Sequence, residues 1–439
     1  MENLRLITEH TLLFTLIQLA VIVAAGAIFG YIAKRLRQPQ VVGQIIGGLI
    51  LGPTVLGNIL LMDQNWIFHP SVFPWMEVST IVDANVGTIF KALAEIGLVL
   101  LLLLIGMEFD FSHLKAKGKS AAFISLAGIL LPFMLGWFIT PWLLAATQFE
   151  VEPIDMALFL GTAMSITALP ILGKMMMEYG ITKTKIGAVT ISAAASDDAI
   201  SWLALAAVSA AVTTGWKAAQ TATTIMWIVL FALVVMFAVK PLFKKAIALI
   251  PKKDNDDLPL ALLLVVVILA GIATHLIGIF AIFGAFFLGA VLSTEKEFCQ
   301  YIVSKIKPFV TVFFLPIFFT ATGLRTDIGT LESGQLWLLA AVVMAAAMFG
   351  KLVGCGLAAK VSGFNWKEAA TIGVFMNTRA LMELIVINVG YELGVIPLSI
   401  FCMLVMMAVV TTIMTTPLIA MLAPGTELEP HMRAAGFLP

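Results

Sequence analysis

Long apolar stretches alternate with short polar segments along most of the chain. A helix needs about 20 mostly apolar residues to cross the hydrocarbon core of a bilayer. The pattern predicts thirteen such helices, at residues 11–34, 41–60, 88–107, 120–146, 156–177, 185–212, 222–247, 258–277, 279–293, 308–324, 335–359, 368–390 and 396–423. The eighth and ninth segments nearly touch, so the alternative is twelve spans with one of the two re-entrant.

The lysines and arginines support this count and give the chain an orientation. With the N-terminus outside, 20 of the 26 basic residues fall in or beside the inside loops, as the positive-inside rule predicts. The first apolar run is longer than a signal-peptide core, so we interpret it as a retained span. We therefore expect an integral membrane protein with its N-terminus outside and its C-terminus in the cytoplasm.

Composition narrows the class of protein further. Hydrophobic residues make up 61% of the 439 and charged residues 12%, whereas soluble proteins average about 25% charged. Lipid is therefore the expected solvent for most of the surface. The net charge is zero, which gives no support to a nucleic-acid partner. The three cysteines show neither disulfide nor metal-site spacing, and we expect no cofactor.

Two pairs of segments resemble each other at the same separation of seven spans. Residues 47–53 match 284–290, and residues 161–170 match 373–382. Because seven is odd, the halves that contain them face opposite ways. Inverted repeats are typical of secondary transporters, which bind their substrate near mid-membrane at discontinuous helices. We predict a single transmembrane domain over 1–439, with repeats at about 11–212 and 258–423 and a linker helix at 222–247; the alternative is chance similarity between apolar helices.

The predicted sixth span contains two adjacent carboxylates, Asp197 and Asp198. Each costs roughly 2.5–3.5 kcal/mol at mid-bilayer on insertion scales. Adjacent helical residues point about 100° apart, so the two side chains face different neighbours. We expect one of them to pair with a fixed cation and the other with a mobile one. The alternative is a structural pair that satisfies polar groups between helices.

Three further charged side chains fall within predicted spans. Lys351, half-way along span 11, needs a carboxylate partner unless it snorkels to the inner face. Asp197, Asp198, Glu383 and Glu95 are the candidate partners. Arg379 and Glu383 are four residues apart on span 12 and can pair within one helix, which favours a structural salt bridge.

Span 5 carries a helix-breaking signal beside polar side chains. Pro170 lacks an N–H and disfavours helix at the preceding residue, close to Ser165 and Thr167. Asn377 and Thr378 occupy the matching place in span 12. Irregular backbone at membrane depth is tolerated where it lines a cavity, so we predict two broken helices that support an ion site. A simple proline kink is the alternative for span 5.

Several motifs together resemble the monovalent cation/proton antiporters, in the branch that contains Kef-type, NapA-type and plant cation/proton exchanger proteins. The residues that carry the resemblance are RQPQVVGQIIGGLILGP at 37–53, IGL at 96–98 with IGMEFD at 105–110, SDD at 196–198, FFTATGLRT at 318–326 and NTRALMELIV at 377–386. The resemblance implies an all-α fold of about thirteen helices in two inverted six-helix repeats. It also implies a homodimer, with a mobile core that moves in an elevator-like step.

The resemblance also implies roles for individual residues. Asp198 would bind the transported Na⁺ or K⁺, Asp197 would pair with Lys351, and span 5 would cross span 12 near Thr167 and Thr378. We therefore expect a transporter, not an enzyme, that exchanges a monovalent cation for protons and is electrogenic. Kef-type proteins commonly carry Gln-Asp and a cytoplasmic nucleotide-binding domain, and we expect no soluble regulatory domain here.

Three other functions compete with this one. A Kef-like potassium efflux system would show channel-like or electroneutral behaviour. An intramembrane aspartyl protease needs its two aspartates on different helices, whereas Asp197 and Asp198 are contiguous. A non-transporting sensor would bind the cation without moving it.

Overall fold

The computed structural model describes residues 2–52, 55, 80–108, 118–215, 217–248, 257–379 and 381–437, and the regular structure of these residues is helical. The helices, in chain order, are α1 (Glu2–Arg35), α2 (Gln40–Leu51), α3 (Thr80–Glu108), α4 (Gly118–Thr147), α5 (Pro153–Ser165), α6 (Leu169–Glu178), α7 (Lys185–Thr214), α8 (Ala218–Val234), α9 (Lys240–Ala248), α10 (Leu258–Ile277), α11 (Ala281–Leu292), α12 (Lys296–Phe309), α13 (Leu315–Arg325), α14 (Gly334–Val361), α15 (Trp366–Met376), α16 (Leu381–Glu392), α17 (Leu398–Leu422) and α18 (Glu429–Ala434). Short π turns at Val235–Val239 and Val310–Phe314 and a 3₁₀ turn at Ile328–Thr330 complete the set.

Within the described residues, ten helical segments are long and apolar enough to cross a membrane. The bent pair α15 and α16, whose axes differ by 45°, makes an eleventh if it is counted as one span. Two shorter apolar helices, α2 and α11, lie where the second and ninth spans are predicted. The all-helical class is therefore confirmed, while the number thirteen and the inverted repeats remain predictions.

Some predicted features lie outside the described residues. The predicted second span continues to residue 60, but only residues up to 52, and residue 55, are described. Residues 109–110, at the end of the third-span motif, are also outside. So are Lys115, Lys117, Lys252 and Lys253, four of the basic residues assigned to inside loops.

The tenth predicted span, 308–324, is part of a longer helical segment. Helix α12 starts at Lys296, in a stretch that the hydropathy pattern leaves as a loop. It is amphipathic, with Cys299, Ile302 and Ile306 buried on one face, and such a helix is stabilised by packing more than by hydropathy. It continues into α13 through the π turn, which precedes Pro316. A proline without an N–H cannot pair with the carbonyl four residues earlier, so the turn widens there.

Both predicted helix breaks are present. Helix α5 ends at Ser165, and the chain is extended at Ile166 (φ −71°, ψ 142°) before α6 begins. Pro170 occupies the first turn of α6, where its missing N–H costs nothing. Helix α15 ends at Met376 and α16 begins at Leu381. The chain thus interrupts two predicted spans part-way along, and the freed backbone groups need new partners.

The chain divides into two compact units. The first comprises Met1–Lys91, Phe111–Leu205 and Phe319–Pro439, and it contains both breaks, the two aspartates and Lys351. The second comprises Ala92–Asp110 and Ala206–Phe318. Inside the second unit, Gly284 of α11 lies against the backbone of Ala270 of α10, and Gly106 of α3 lies against Phe286 of α11.

Glycines set the close packing around helix α14 in the first unit. A Cβ on Gly350 would lie 2.8 Å from the Cα atom of Pro132 in α4, and one on Gly354 would lie 2.8 Å from the Ala127 carbonyl oxygen. Small residues allow such backbone approach in membrane helices, where apolar surface gives little driving force for association. This contact holds Lys351, the residue after Gly350, inside the unit.

Candidate ion-binding site

A buried ion pair joins helix α7 to helix α14. The Nζ atom of Lys351 donates to Oδ2 of Asp197 at 2.7 Å, and both side chains are fully buried. The burial of Lys351 excludes the alternative that it snorkels to the membrane surface. Removing one partner of a buried pair typically costs about 3–5 kcal/mol, because the other charge is left uncompensated. Of the four candidate carboxylates, the structure therefore assigns Asp197 to the lysine.

Asp198, the next residue, lies in a different environment. Its side chain is fully buried, and neither carboxyl oxygen has a hydrogen-bond partner among the described residues. The indole of Trp202, one turn further along α7, interacts with this carboxyl from beyond ordinary hydrogen-bond geometry. The sequence analysis missed Trp202, although its spacing of four residues from Asp198 places it on the same face. A buried carboxylate without a partner is strongly disfavoured, so Asp198 has a strong tendency to acquire a proton or a cation.

Arg379 donates hydrogen bonds to free backbone carbonyls at the end of α5. Helices α5 and α15, each of which leads into a break, are called half-helices below. Its guanidinium donates to the carbonyl oxygens of Met164 at 2.6 Å and Ala163 at 3.3 Å, in the last turn of α5. The last four carbonyls of a helix have no partner within the helix and carry partial negative charge, so a cation is stabilising there. The same guanidinium also donates to Ala347 of α14 at 3.4 Å, one turn before Lys351.

Thr167 donates a hydrogen bond to a free backbone carbonyl at the end of the other half-helix, α15. Its hydroxyl donates to the carbonyl oxygen of Met376, the last residue of α15, at 2.9 Å. Next to it, the backbone N–H of Ala168 donates to the carbonyl oxygen of Thr378 at 2.9 Å. The two breaks therefore cap each other. Arg379 of the second break donates to the end of α5, which leads into the first break, and Thr167 of the first break donates to the end of α15, which leads into the second. The two breaks meet at Thr167 and Thr378, where the resemblance places the crossing.

The remaining predicted site residues have distinct surroundings. The Thr378 hydroxyl donates to the Thr415 hydroxyl of α17 at 3.5 Å, and Thr415 is a second residue that the sequence analysis missed. Asn377 is buried, and its Oδ1 atom has no partner among the described residues. Ser165 donates to the carbonyl oxygen of Thr162 in its own helix at 2.7 Å, so its hydroxyl proton is already used.

The predicted pair within span 12 is also present. Arg379 and Glu383 are 3.0 Å apart and fully buried. Glu383 stands in the first turn of α16, where the positive end of the helix dipole favours a carboxylate. This pair neutralises the guanidinium that caps α5, so it supports the crossing of the broken helices.

Comparison with known proteins shows the family of the chain. The family described as "sodium/hydrogen exchanger, transmembrane" matches residues 20–423. NhaS4, a Na⁺/H⁺ antiporter of Synechocystis, is 35% identical over 95% of this chain and 98% of its own length. Cation/H⁺ antiporter 17 of Arabidopsis thaliana is 34% identical over 96% of this chain, and the K⁺/H⁺ antiporter 1 of Saccharomyces cerevisiae is 28% identical over 90%.

The chain spans about half the length of the plant and yeast relatives, at 50% and 44%. A solved structure, the sodium proton antiporter MjNhaP1 of Methanocaldococcus jannaschii, has the same fold with a TM-score of 0.63 and 17% identity. The alignment covers 97% of this chain and 100% of that one. The chain is thus an integral membrane protein that belongs to the sodium/hydrogen exchanger family of transporters.

Proposed function

We propose that this protein is a secondary active antiporter that exchanges a monovalent cation, Na⁺ or K⁺, for protons, with Asp198 as the exchanging group. The observation that carries the proposal is the full burial of Asp198 with both carboxyl oxygens lacking a hydrogen-bond partner among the described residues. Its neighbour Asp197 is already paired with Lys351, so the charge of Asp198 is left for a mobile ion.

Exchange follows from competition for one carboxyl group. Burial disfavours a bare carboxylate, so Asp198 is stabilised either by a covalently bound proton or by a dehydrated cation. The two exclude each other, because the proton removes the charge that attracts the cation. If the site changes sides only when it is loaded, a gradient of one ion drives the other without ATP.

The ion pair between Asp197 and Lys351 makes the transport cycle electrogenic. When the cation binds, Asp197 turns toward it and releases Lys351, whose buried ammonium then loses a proton. Two protons move for each cation, and the cycle carries one net charge. Such a step responds to the membrane potential by about 2.3 kcal/mol per charge per 100 mV. An electroneutral, Kef-like mode is the alternative, and it predicts no response to voltage.

The movement of the site between the two sides is proposed as an elevator-like step within a homodimer. Reciprocal capping of the half-helices by Arg379 and Thr167 supports this proposal, since it ties both breaks into one body. The N-terminus is proposed to lie outside and the C-terminus in the cytoplasm. The whole chain is proposed to act as one transporter domain in the bacterial inner membrane.

The test is exchange by purified protein in liposomes that contain a pH-sensitive dye. A cation pulse of Li⁺, Na⁺, K⁺ or Rb⁺ should move protons out of the liposomes, and the ion with the lowest apparent KM is the substrate. Asp198→Asn should abolish this movement. Asp327→Asn is the matched control, because Asp327 accepts a hydrogen bond from the Gly329 N–H in a surface turn. Surviving exchange in Asp198→Asn would remove that residue from its role, and cation flux without proton movement would favour a channel-like system.

A further inference from the structure

Most hydroxyl side chains on helix α7 follow a common rule. Thr190, Ser192 and Ser196 each donate to the backbone carbonyl four residues earlier, at 2.7, 2.8 and 3.0 Å. This back-bonding is the usual way in which a helix satisfies a buried hydroxyl. In a hydroxyl bound in this way, the hydrogen is directed at the backbone of its own helix, so the group is already hydrogen-bonded without a neighbouring ligand.

Ser201 breaks this rule beside the two aspartates. It is 3% exposed, and its Oγ atom has no hydrogen-bond partner among the described residues. It follows Asp197 by four residues and Asp198 by three, and such helical neighbours have Cβ atoms about 5–6 Å apart. Ser201 therefore occupies the adjoining turn on the same side of the helix as both aspartates.

Two successive turns of α7 thus carry a cluster of buried oxygens without partners among the described residues. The cluster consists of Oδ1 of Asp197, Oδ1 and Oδ2 of Asp198, and Oγ of Ser201. Buried polar groups are nearly always hydrogen-bonded, so such a group calls for a functional explanation such as an ion. A hard cation takes oxygen ligands of this kind, from carboxylates and neutral oxygens together.

We propose that Ser201 is the third residue of helix α7, after the two aspartates, to supply an oxygen ligand to the transported cation, and that it sets the selectivity among monovalent cations. The inference rests on the proposed function and adds a residue to its site. A neutral hydroxyl contributes a dipole but no charge, so it stabilises a bound cation without competing for the proton on Asp198. Because a smaller cation approaches its ligands more closely, it gains more from each of them.

The test compares four variants in the liposome exchange assay with Li⁺, Na⁺, K⁺ and Rb⁺. Ser201→Ala removes the hydroxyl, while Ser201→Thr keeps it. Ser196→Ala is the matched control for a back-bonded serine next to the aspartates, and Ser209→Ala is the control for a buried serine two turns further on, whose Oγ also lacks a partner among the described residues. Cation-induced stabilisation against thermal unfolding in detergent measures binding independently of transport.

For Ser201→Ala, we expect the apparent KM for Na⁺ to rise about tenfold, the order of one hydrogen bond to a charged group, with a smaller rise for K⁺ and an unchanged maximal rate. The cation-induced stabilisation should weaken in parallel, Ser201→Thr should stay within about twofold of the wild type, and both controls should match it.

Two results would overturn the role of Ser201 while leaving the antiport mechanism in place. One is exchange by Ser201→Ala with wild-type KM values for all four ions. The other is an equal loss in Ser201→Ala and Ser201→Thr together with a lower melting temperature without cation, which would mark Ser201 as a packing residue. A wild-type protein that moves no protons in response to any cation would instead refute the proposed function, and the role of Ser201 with it.

Discussion

Arg379, in the break between α15 and α16, donates a hydrogen bond of 2.6 Å to the carbonyl oxygen of Met164, in the last turn of α5. The two residues are separated by 215 positions and belong to different broken helices. One guanidinium thus caps one half-helix and stands within the break of another. Together with the hydrogen bond from Thr167 to the Met376 carbonyl, this side chain ties the two broken spans to each other.

Replacing Arg379 by Gln should therefore destabilise the protein. The substitution removes the cap from α5 and leaves Glu383 buried without its cation, a change that typically costs about 3–5 kcal/mol. Thermal unfolding in detergent should show a large drop in melting temperature. The double variant Arg379→Gln, Glu383→Gln should recover part of it, because neither member of this pair is then left as a buried charge without its partner. Breaking the exposed pair of Arg433 and Glu429 is the control and should change little.

Replacing Lys351 should change the response of exchange to voltage. In the two-proton scheme the lysine carries the second proton, so Lys351→Ala with Asp197→Asn should exchange one proton per cation and become electroneutral. The double variant avoids leaving Asp197 buried without its partner. The measurement is exchange in liposomes with an imposed membrane potential. A variant whose rate still follows the potential as the wild type does would rule out the two-proton scheme.

Replacing Thr167 by Ala should weaken the apparent cation affinity. The hydroxyl that satisfies the last carbonyl of α15 would be lost, and a hydrogen bond of this kind contributes about 1 kcal/mol. We expect a several-fold rise in apparent KM, with Thr167→Ser close to the wild type. Thr140→Ala is the control, since that hydroxyl donates to Gly136 in its own helix. An unchanged KM in Thr167→Ala would reduce that threonine to a packing residue.

Replacing Gly350 by Ala should displace the lysine next to it. The new Cβ would lie 2.8 Å from the Cα atom of Pro132, so α14 has to move away from α4. Overpacking of this kind typically costs about 1–3 kcal/mol, and we expect a lower melting temperature together with weaker exchange. Gly334→Ala, in the same helix, meets no atom within 4 Å and is the control. Equal melting temperatures in the two variants would contradict the tight packing of α14 on α4.

The sequence by itself determined the membrane class, most helix positions and the break at Pro170. The physical reason is that these features are local. A run of apolar residues has to meet lipid whatever its neighbours are, and a proline removes its own N–H wherever it stands. The distribution of basic residues around the spans is also a local feature, because each one depends only on the side of the membrane on which its loop lies. Helix α12 was not predicted, because its sequence is largely polar and the helix depends on the burial of one face.

The tertiary structure alone decided which polar atoms meet. Four carboxylates were candidate partners for Lys351, and the fold brings Asp197 of α7 to the lysine of α14 across 154 residues of sequence. The carbonyls that Arg379 caps, the contact of Thr378 with Thr415, and the difference between the back-bonded Ser196 and Ser201 follow no sequence period. Such contacts depend on the rotation and separation of the helices. Many small packing interactions determine these together, so no single residue type predicts them.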